Sequence, residues 1–203
     1  MNDAHTPSVV RFVLASASPR REELLREAAY VFDVIPSDVD EPSEFDEGVD
    51  PAQIAEWLAQ LKARAVAGRL KCGVVLGADT VVALNGRLYG KAVDADDARR
   101  ILTDLMHSPH QVITGVTLID AATGREETAH AVTRVVMTPM PPETLDAYLA
   151  SNLWRGKAGA YGIQDHDDAF VQSLDGSFSN VVGLPMELLG AMFERWGIRP
   201  SKA

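Results

Sequence analysis

The stretch VVRFVLASASPRREELLREA, residues 9–28, decides the fold because it predicts a strand that turns directly into a helix. Residues 9–14 form a short apolar run typical of a buried strand. Ser18 is a good helix cap and Pro19 suits a first turn, so we expect a helix to about Ala28. The small residues between the two elements leave room at the helix N-terminus, where backbone N–H groups favour a phosphate.

Outside this stretch, predicted helices and strands alternate along the chain. Caps and apolar periodicity predict further helices over residues 50–68, 94–106, 142–150 and 185–197. Apolar runs predict strands over residues 31–35, 74–76, 81–84, 88–89, 111–119, 128–137 and 170–174. Because turns such as Asn85-Gly86 make several strand pairs hairpins, we expect an α/β fold with a mixed sheet. No shift in composition marks a boundary, so residues 1–203 are interpreted as a single domain.

The segment between the first two long helices is acidic and lacks apolar periodicity, so residues 38–50 are predicted to form a loop. The acids within residues 37–41 could supply a Mg²⁺ ligand, although such a run is more often a solvated loop. The helix that follows is expected to bury one apolar face, formed by Ile54, Trp57, Leu58, Leu61 and Ala65.

Composition narrows the classes of function. The chain has 203 residues, of which 46% are hydrophobic, with one cysteine and a formal net charge of −10. This charge disfavours a nucleic acid partner, because binding to a phosphate backbone depends on excess positive charge. No run approaches the roughly 18 apolar residues of a membrane span, and the start lacks a signal peptide pattern. We therefore expect a cytoplasmic protein that binds neither nucleic acid nor membrane.

Arg20 and Arg21 are the first candidate ligand-binding residues. Both fall in the first turn of the predicted helix, where each cation opposes the helix dipole by about 0.3–1 kcal/mol. An anion bound at the helix end would offset that cost, and local rules tend to fail at functional sites. The alternative is that both side chains point into solvent.

Asp79 is the second candidate, in the segment LGADTVV, residues 76–82. A carboxylate within an apolar run is costly unless it is hydrogen-bonded, paired or bound to a metal. The alternative is an aspartate that caps a local turn. Lys91, just after a predicted hairpin, would by itself be interpreted as an ordinary solvated lysine.

A glycine-rich segment, residues 156–164, offers an aromatic face in Tyr161 and an amide in Gln164. Glycine lets a backbone approach a ligand closely, but a tight structural turn is an equally good interpretation. Other familiar motifs fail: residues 86–92 lack the spacing and the Ser/Thr of a phosphate-binding P-loop. His107 and His110 lack further metal ligands nearby and are predicted to lie in a solvated loop.

Taken together and in order, these segments resemble the Maf family of nucleoside triphosphate pyrophosphatases. The matching pieces span nearly the whole chain: residues 14–25, 38–41, 61–63, 77–80, 90–91, 114–116, 157–164 and 180–185. The resemblance implies a long mixed sheet flanked by helices, with two lobes around a central cleft. It implies hydrolysis of a nucleoside triphosphate to the monophosphate and pyrophosphate with Mg²⁺ or Mn²⁺, and a homodimer as seen among relatives.

The resemblance also implies roles for single residues. Asp79 corresponds to the catalytic aspartate and Lys91 to a catalytic lysine, while Glu41 and Asp79 correspond to metal ligands. Substrate contacts correspond to Ser16, Arg20, Arg21, Lys62, Thr80 and Gln164. The residues Arg20, Thr80 and Gln164 are similar to those of the branch that acts on dTTP, UTP and some modified pyrimidine nucleotides.

Two departures from the family pattern, residues 153–156 and 165–168, flank the expected base pocket. They bear on nucleotide preference more than on the reaction. Two other functions stay open from the sequence: an ITPase-type pyrophosphatase for non-canonical purine nucleotides, and a non-catalytic binding protein that regulates cell division.

Overall fold

The computed structural model describes residues 11–42, 45, 48–163 and 170–201. Its strands are β1 Phe12–Leu14, β2 Phe32–Val34, β3 Val74–Leu84, β4 Arg87–Tyr89, β5 His110–Asp120, β6 Glu126–Met137 and β7 Val171–Asp175. Its helices are α1 Pro19–Glu27, α2 Pro51–Ala67, α3 Ala95–His107, α4 Pro142–Ala150, α5 Phe178–Val182 and α6 Met186–Arg195.

The strands form a seven-stranded mixed sheet in the order β2-β1-β3-β5-β6-β7, with β4 paired to β3. The β1 strand runs parallel to β2 and β3, whereas β3, β5, β6 and β7 are successively antiparallel. Helices flank this sheet, so the predicted α/β fold with a long mixed sheet is confirmed.

One edge of β3 is interrupted, and this interruption creates the cleft. Residues 74–76 of that edge pair with β1, and residues 82–84 pair with β4. Residues 77–81, with Asp79 at their centre, therefore have no strand partner on that side among the described residues. The gap lies where the parallel strand β1 ends, which is where α/β proteins commonly bind ligands.

Two apolar cores lie on either side of this gap. One core packs α1 and α6 against the first half of β3, around Leu25, Leu76 and Phe193. The other packs α3 and α4 against the second half of β3, around Leu102 and Trp154. The chain therefore has two lobes joined by the long strands, as the predicted two-lobed fold requires.

Helix α2 crosses the sheet at unusually close range. A Cβ on Gly77 would lie 2.3 Å from the Ala59 carbonyl oxygen, and one on Gly115 would lie 2.2 Å from the Ala55 carbonyl oxygen. The buried face of α2 accordingly consists mostly of alanines. The predicted face was wrong in part: Trp57 is 43% exposed, because α2 turns Ala55, Ala59 and Ala63 towards the glycines of the sheet.

The structure decides between the two interpretations of Asp79 and differs from the sequence expectations at two further points. Asp79 caps no turn, because β3 continues through it from residue 74 to 84. His110 is buried as the first residue of β5 and does not lie in a solvated loop. Residues 178–182 form a short helix, α5, that was not predicted, since five residues are too few for a periodic pattern. None of the helices in the described ranges has the length and apolar character needed to cross a membrane.

Candidate active site

The gap beside β3 opens into a cleft of about 660 Å³ between the two lobes. Eight of the nine residues predicted to form the site line this cleft: Ser16, Arg20, Arg21, Glu41, Lys62, Asp79, Thr80 and Lys91. The ninth, Gln164, lies outside the described residues. Residues 155–158 and 181–183 line it as well, so residues from both halves of the chain meet in one cavity.

At the floor of the cleft, the Lys62 ammonium group is shared by two carboxylates. It forms a buried ion pair with Asp79 and lies 2.9 Å from an oxygen of Glu41. The close packing of α2 brings Lys62 to this position. Burial alone would raise the pKa of Glu41, but the hydrogen bond from Lys62 and the positive charges of Lys62, Lys91 and Arg21 lower it below its usual value.

Arg21 braces the first lobe of the cleft. Its Nε donates to the Gly183 carbonyl oxygen at 2.8 Å, Nη1 to Ser16 Oγ at 3.1 Å and Nη2 to Thr80 Oγ1 at 3.2 Å. Each guanidinium nitrogen is thus engaged with a neutral oxygen of the protein. Arg21 therefore ties the β1–α1 turn to β3 and to the end of α5.

Thr80 continues this network through the sheet. Its hydroxyl lies 2.9 Å from that of Thr114 on β5, which in turn donates to the Asn180 carbonyl oxygen at 3.2 Å. The Asn180 amide donates to the Val112 carbonyl oxygen and to Thr133, each at 2.9 Å. These bonds connect the Thr80 hydroxyl, which lines the cleft, to β5 and to α5.

Ser16 and Arg20 lie at the N-terminal end of helix α1. The Ser16 hydroxyl accepts from the Ser18 backbone N–H at 3.2 Å, which shapes the turn after β1. Arg20 is half-buried, and this burial lowers the pKa of its guanidinium, although the nearby phenol of Tyr148 works in the opposite direction. Arg20 therefore lies within reach of a ligand in the cleft.

The second lobe contributes Lys91, whose backbone pairs with another segment of the chain. Lys91 forms an isolated antiparallel bridge with Ala158, and the Gly159 N–H donates to the Gly90 carbonyl oxygen at 3.1 Å. This pairing joins the segment after β4 to the glycine-rich segment predicted from the sequence. Both sides of that junction line the cleft.

Comparisons with known proteins show the family of the chain. A family model described as Maf-like protein matches residues 11–196. The chain belongs to the Maf family. A dTTP/UTP pyrophosphatase from Pelotomaculum thermopropionicum is 43% identical over 91% of this chain and 96% of its own. Another from Alkaliphilus metalliredigens is 44% identical over 91% of this chain and 95% of its own.

A solved HAM1 protein from Coxiella burnetii aligns with 65% of this chain and 75% of its own, at 17% identity and a TM-score of 0.46. A likeness of this size bears on neither the fold nor the function of the Maf chain.

The Maf cleft holds more cations than the sequence predicted. Among the described lining residues, Arg155 and Lys157 add to the four predicted cations, against the three carboxylates of Asp38, Glu41 and Asp79. The cleft lining therefore carries net positive charge within a chain of net charge −10. Burial and the charge of Arg20 lower the pKa of Lys157 to about 8. The adjacent glycines signalled a close backbone approach, but nothing local to Lys157 showed that it faces Arg20.

The carboxylates of the Maf cleft suit a hard divalent cation. Within the ranges described above, no group of three or more His, Cys, Asp or Glu residues could hold a metal by itself. Glu41 and Asp79 nevertheless converge on one point, the Lys62 ammonium. Mg²⁺ is typically bound by one or two carboxylates together with substrate phosphates, so these two ligands fit an ion that binds with a polyphosphate, whose charge offsets the cations of the cleft.

Proposed function

We propose that this chain hydrolyses nucleoside triphosphates, with dTTP and UTP as preferred substrates, to the monophosphate and pyrophosphate. One observation carries the proposal: Asp79, a strand-borne carboxylate, shares a cleft with cations from both lobes. Membership of the Maf family and relatives named dTTP/UTP pyrophosphatase support the substrate class. A cavity of about 660 Å³ is large enough for a small ligand such as a nucleotide.

The chemistry follows from charge and position. Water attacks the α-phosphorus, its proton passes to the Asp79 carboxylate, and the bond to the bridging oxygen breaks as pyrophosphate leaves. Negative charge spreads over the phosphate oxygens in the transition state, so nearby cations stabilise it. Arg20 offers a planar pair of N–H groups to a phosphate, and Lys91 offers a compact point charge.

Glu41 and Asp79 would hold a Mg²⁺ or Mn²⁺ ion, with phosphate oxygens completing its ligands. When bound, such an ion neutralises phosphate charge and lowers the pKa of a bound water. Lys62 keeps the two carboxylates together and compensates their charge.

The base preference is proposed from the relatives and not from contacts of the described residues. Thr80 lines the cleft, and its hydroxyl also accepts from Arg21, so we assign to it both the support of Arg21 and a contact to the base edge. Direct readout of the base by Gln164 remains our proposal.

A panel of nucleotides tests the proposed function. The chain is incubated with dTTP, UTP, CTP, GTP, ITP and XTP in the presence of Mg²⁺ or Mn²⁺, and released pyrophosphate is measured. Preferred turnover of dTTP and UTP supports the proposal. A preference for ITP or XTP would instead identify an ITPase-type enzyme, and no turnover of any nucleotide would favour a binding protein.

We also propose that the protein is located in the cytoplasm and that it assembles into a homodimer. Light scattering of the purified chain tests the second, and a mass of about twice 22.0 kDa is expected.

A further inference from the structure

The buried pair formed by His110 and Tyr161 has no part in the proposed chemistry. His110 is 1% exposed, and its Nε2 lies 2.7 Å from the Tyr161 hydroxyl oxygen. The two rings meet edge to face, with centroids 5.5 Å apart. Apolar side chains would fill this core without burying polar atoms, which are costly unless they are hydrogen-bonded. The pair therefore fixes an orientation that packing alone does not require.

Tyr161 belongs to the wall that the second lobe presents to the cleft. It is the one aromatic side chain among the described residues that line the cavity. The rest of the lining is charged, small or aliphatic. Only 4% of Tyr161 is exposed, so its ring supports this wall from within the lobe. Gln164, the proposed reader of the base, follows Tyr161 by three residues, so the proposed function expects the nucleobase on this side of the cleft.

The wall segment reaches Tyr161 through a constrained turn. Gly159 and Ala160 both have positive φ, of 71° and 60°, and such a conformation is unfavourable for alanine. The Ala160 carbonyl oxygen accepts a hydrogen bond from the Tyr148 hydroxyl at 3.2 Å. The His110 bond anchors the residue that follows. Without the His110 hydrogen bond, the turn would keep its backbone strain and lose a contact that offsets this strain.

We propose that His110 is a positioning residue for nucleotide binding, which acts through Tyr161 to hold the second-lobe wall against the nucleobase side of the substrate. This inference rests on the proposed function for the identity of the ligand. The proposal assigns different effects to two parts of the cleft. The cations determine how tightly the polyphosphate tail binds. The His110–Tyr161 pair determines how much more tightly a whole nucleotide binds than the polyphosphate alone.

Calorimetric binding of two ligands tests the proposal: a dTTP analogue with a nitrogen bridge between the α- and β-phosphorus, and inorganic tripolyphosphate. The Tyr161→Phe variant removes one oxygen atom and should weaken binding of the analogue about fivefold, in line with one lost hydrogen bond. Tripolyphosphate binding should stay within twofold of wild type. Tyr89→Phe is the matched control, because Tyr89 is a buried residue outside the cleft lining whose hydroxyl donates to Asp104. Both affinities should be unchanged in this variant.

Variants of His110 extend the test. His110→Phe should match Tyr161→Phe, and the double variant should bind the analogue no more weakly than either single variant, because both remove the same bond. His110→Gln retains a hydrogen-bonding side chain and should restore part of the affinity. If His110→Phe does not fold, the comparison of Tyr161→Phe with Tyr89→Phe still decides.

Unchanged binding of the analogue to Tyr161→Phe would overturn the proposal, as would an equal loss for both ligands, which indicates a general structural defect. The proposed function can fail separately. If the wild-type chain binds the analogue but releases no pyrophosphate from any nucleotide, the proposed function is wrong. The effect of Tyr161→Phe on the ratio of the two affinities would still test the role of His110. Failure of the wild type to bind either ligand would overturn both.

Discussion

The Lys62 ammonium and the Asp79 carboxylate form an ion pair at the floor of the cleft, with side chains only 10% and 11% exposed. The pair joins helix α2 to the unpaired edge of β3. Removing one partner from such a pair leaves the other charge buried without compensation. Here Glu41 also contacts Lys62, so the cation retains a partner when Asp79 is changed.

Asp79→Asn should therefore fold but lose at least 100-fold in kcat, because an amide cannot accept the proton of the attacking water. Pyrophosphate release from dTTP at saturating substrate measures the loss, and circular dichroism checks the fold. A folded variant that keeps more than a tenth of the wild-type rate would show that Asp79 is not the proton acceptor.

Arg20 and Arg21 should behave differently although they are adjacent. Arg21→Ala removes three hydrogen bonds, two of them buried, and should lower the free energy of unfolding by about 3 kcal/mol. Arg20→Ala should change it by less than about 1 kcal/mol and raise KM for dTTP about tenfold. Urea unfolding and steady-state kinetics measure the two effects. Equal losses of stability would show that Arg21 has no special bracing role.

The close approach of α2 to the sheet predicts that Gly77→Ala is severely destabilising. Its Cβ would lie 2.3 Å from the Ala59 carbonyl oxygen, so the helix must move, at a cost of about 3 kcal/mol or more. Gly190→Ala is the matched control in helix α6, where no atom lies near the added Cβ, and it should stabilise by about 0.5–1 kcal/mol. Melting temperatures that shift equally in both variants would contradict the packing described.

Burial lowers the pKa of His110 to about 4, against an ordinary value of 6.5. Between these values the unfolded chain binds a proton that the folded chain does not, so stability is lost as the pH falls from 6.5 towards 4. The contribution is about 3 kcal/mol in total. The difference in free energy of unfolding between wild type and His110→Gln should therefore be about 2 kcal/mol smaller at pH 4.5 than at pH 7.5. A difference independent of pH would mean that His110 titrates normally in the folded state.

Local signals predicted most of the fold. Asp50 and Asp94 cap α2 and α3 through side-chain hydrogen bonds, and Pro19 and Pro142 open α1 and α4, as their sequence positions indicate. Such signals act within a few residues of the chain and are visible in the sequence. The alternation of helices and strands was therefore sufficient for the α/β class.

What could not be predicted depends on contacts between distant residues. The partners of Arg21 are up to 162 positions away, so its bracing role has no local signature. Trp57 was assigned to the buried face of α2 because apolar periodicity does not reveal that the facing strands carry glycines. His110 lies next to Pro109 and Gln111 in the sequence, and only its packing against Tyr161, 51 positions away, shows that it is buried.

Hydrolysis of dTTP in water labelled with ¹⁸O, followed by mass spectrometry of the products, tests the central claim most directly. If the cleft directs water to the α-phosphorus, the label appears in dTMP and the pyrophosphate is unlabelled. Asp79→Asn should form both products far more slowly than the wild type. Label in pyrophosphate, or formation of dTDP and inorganic phosphate, would contradict the account.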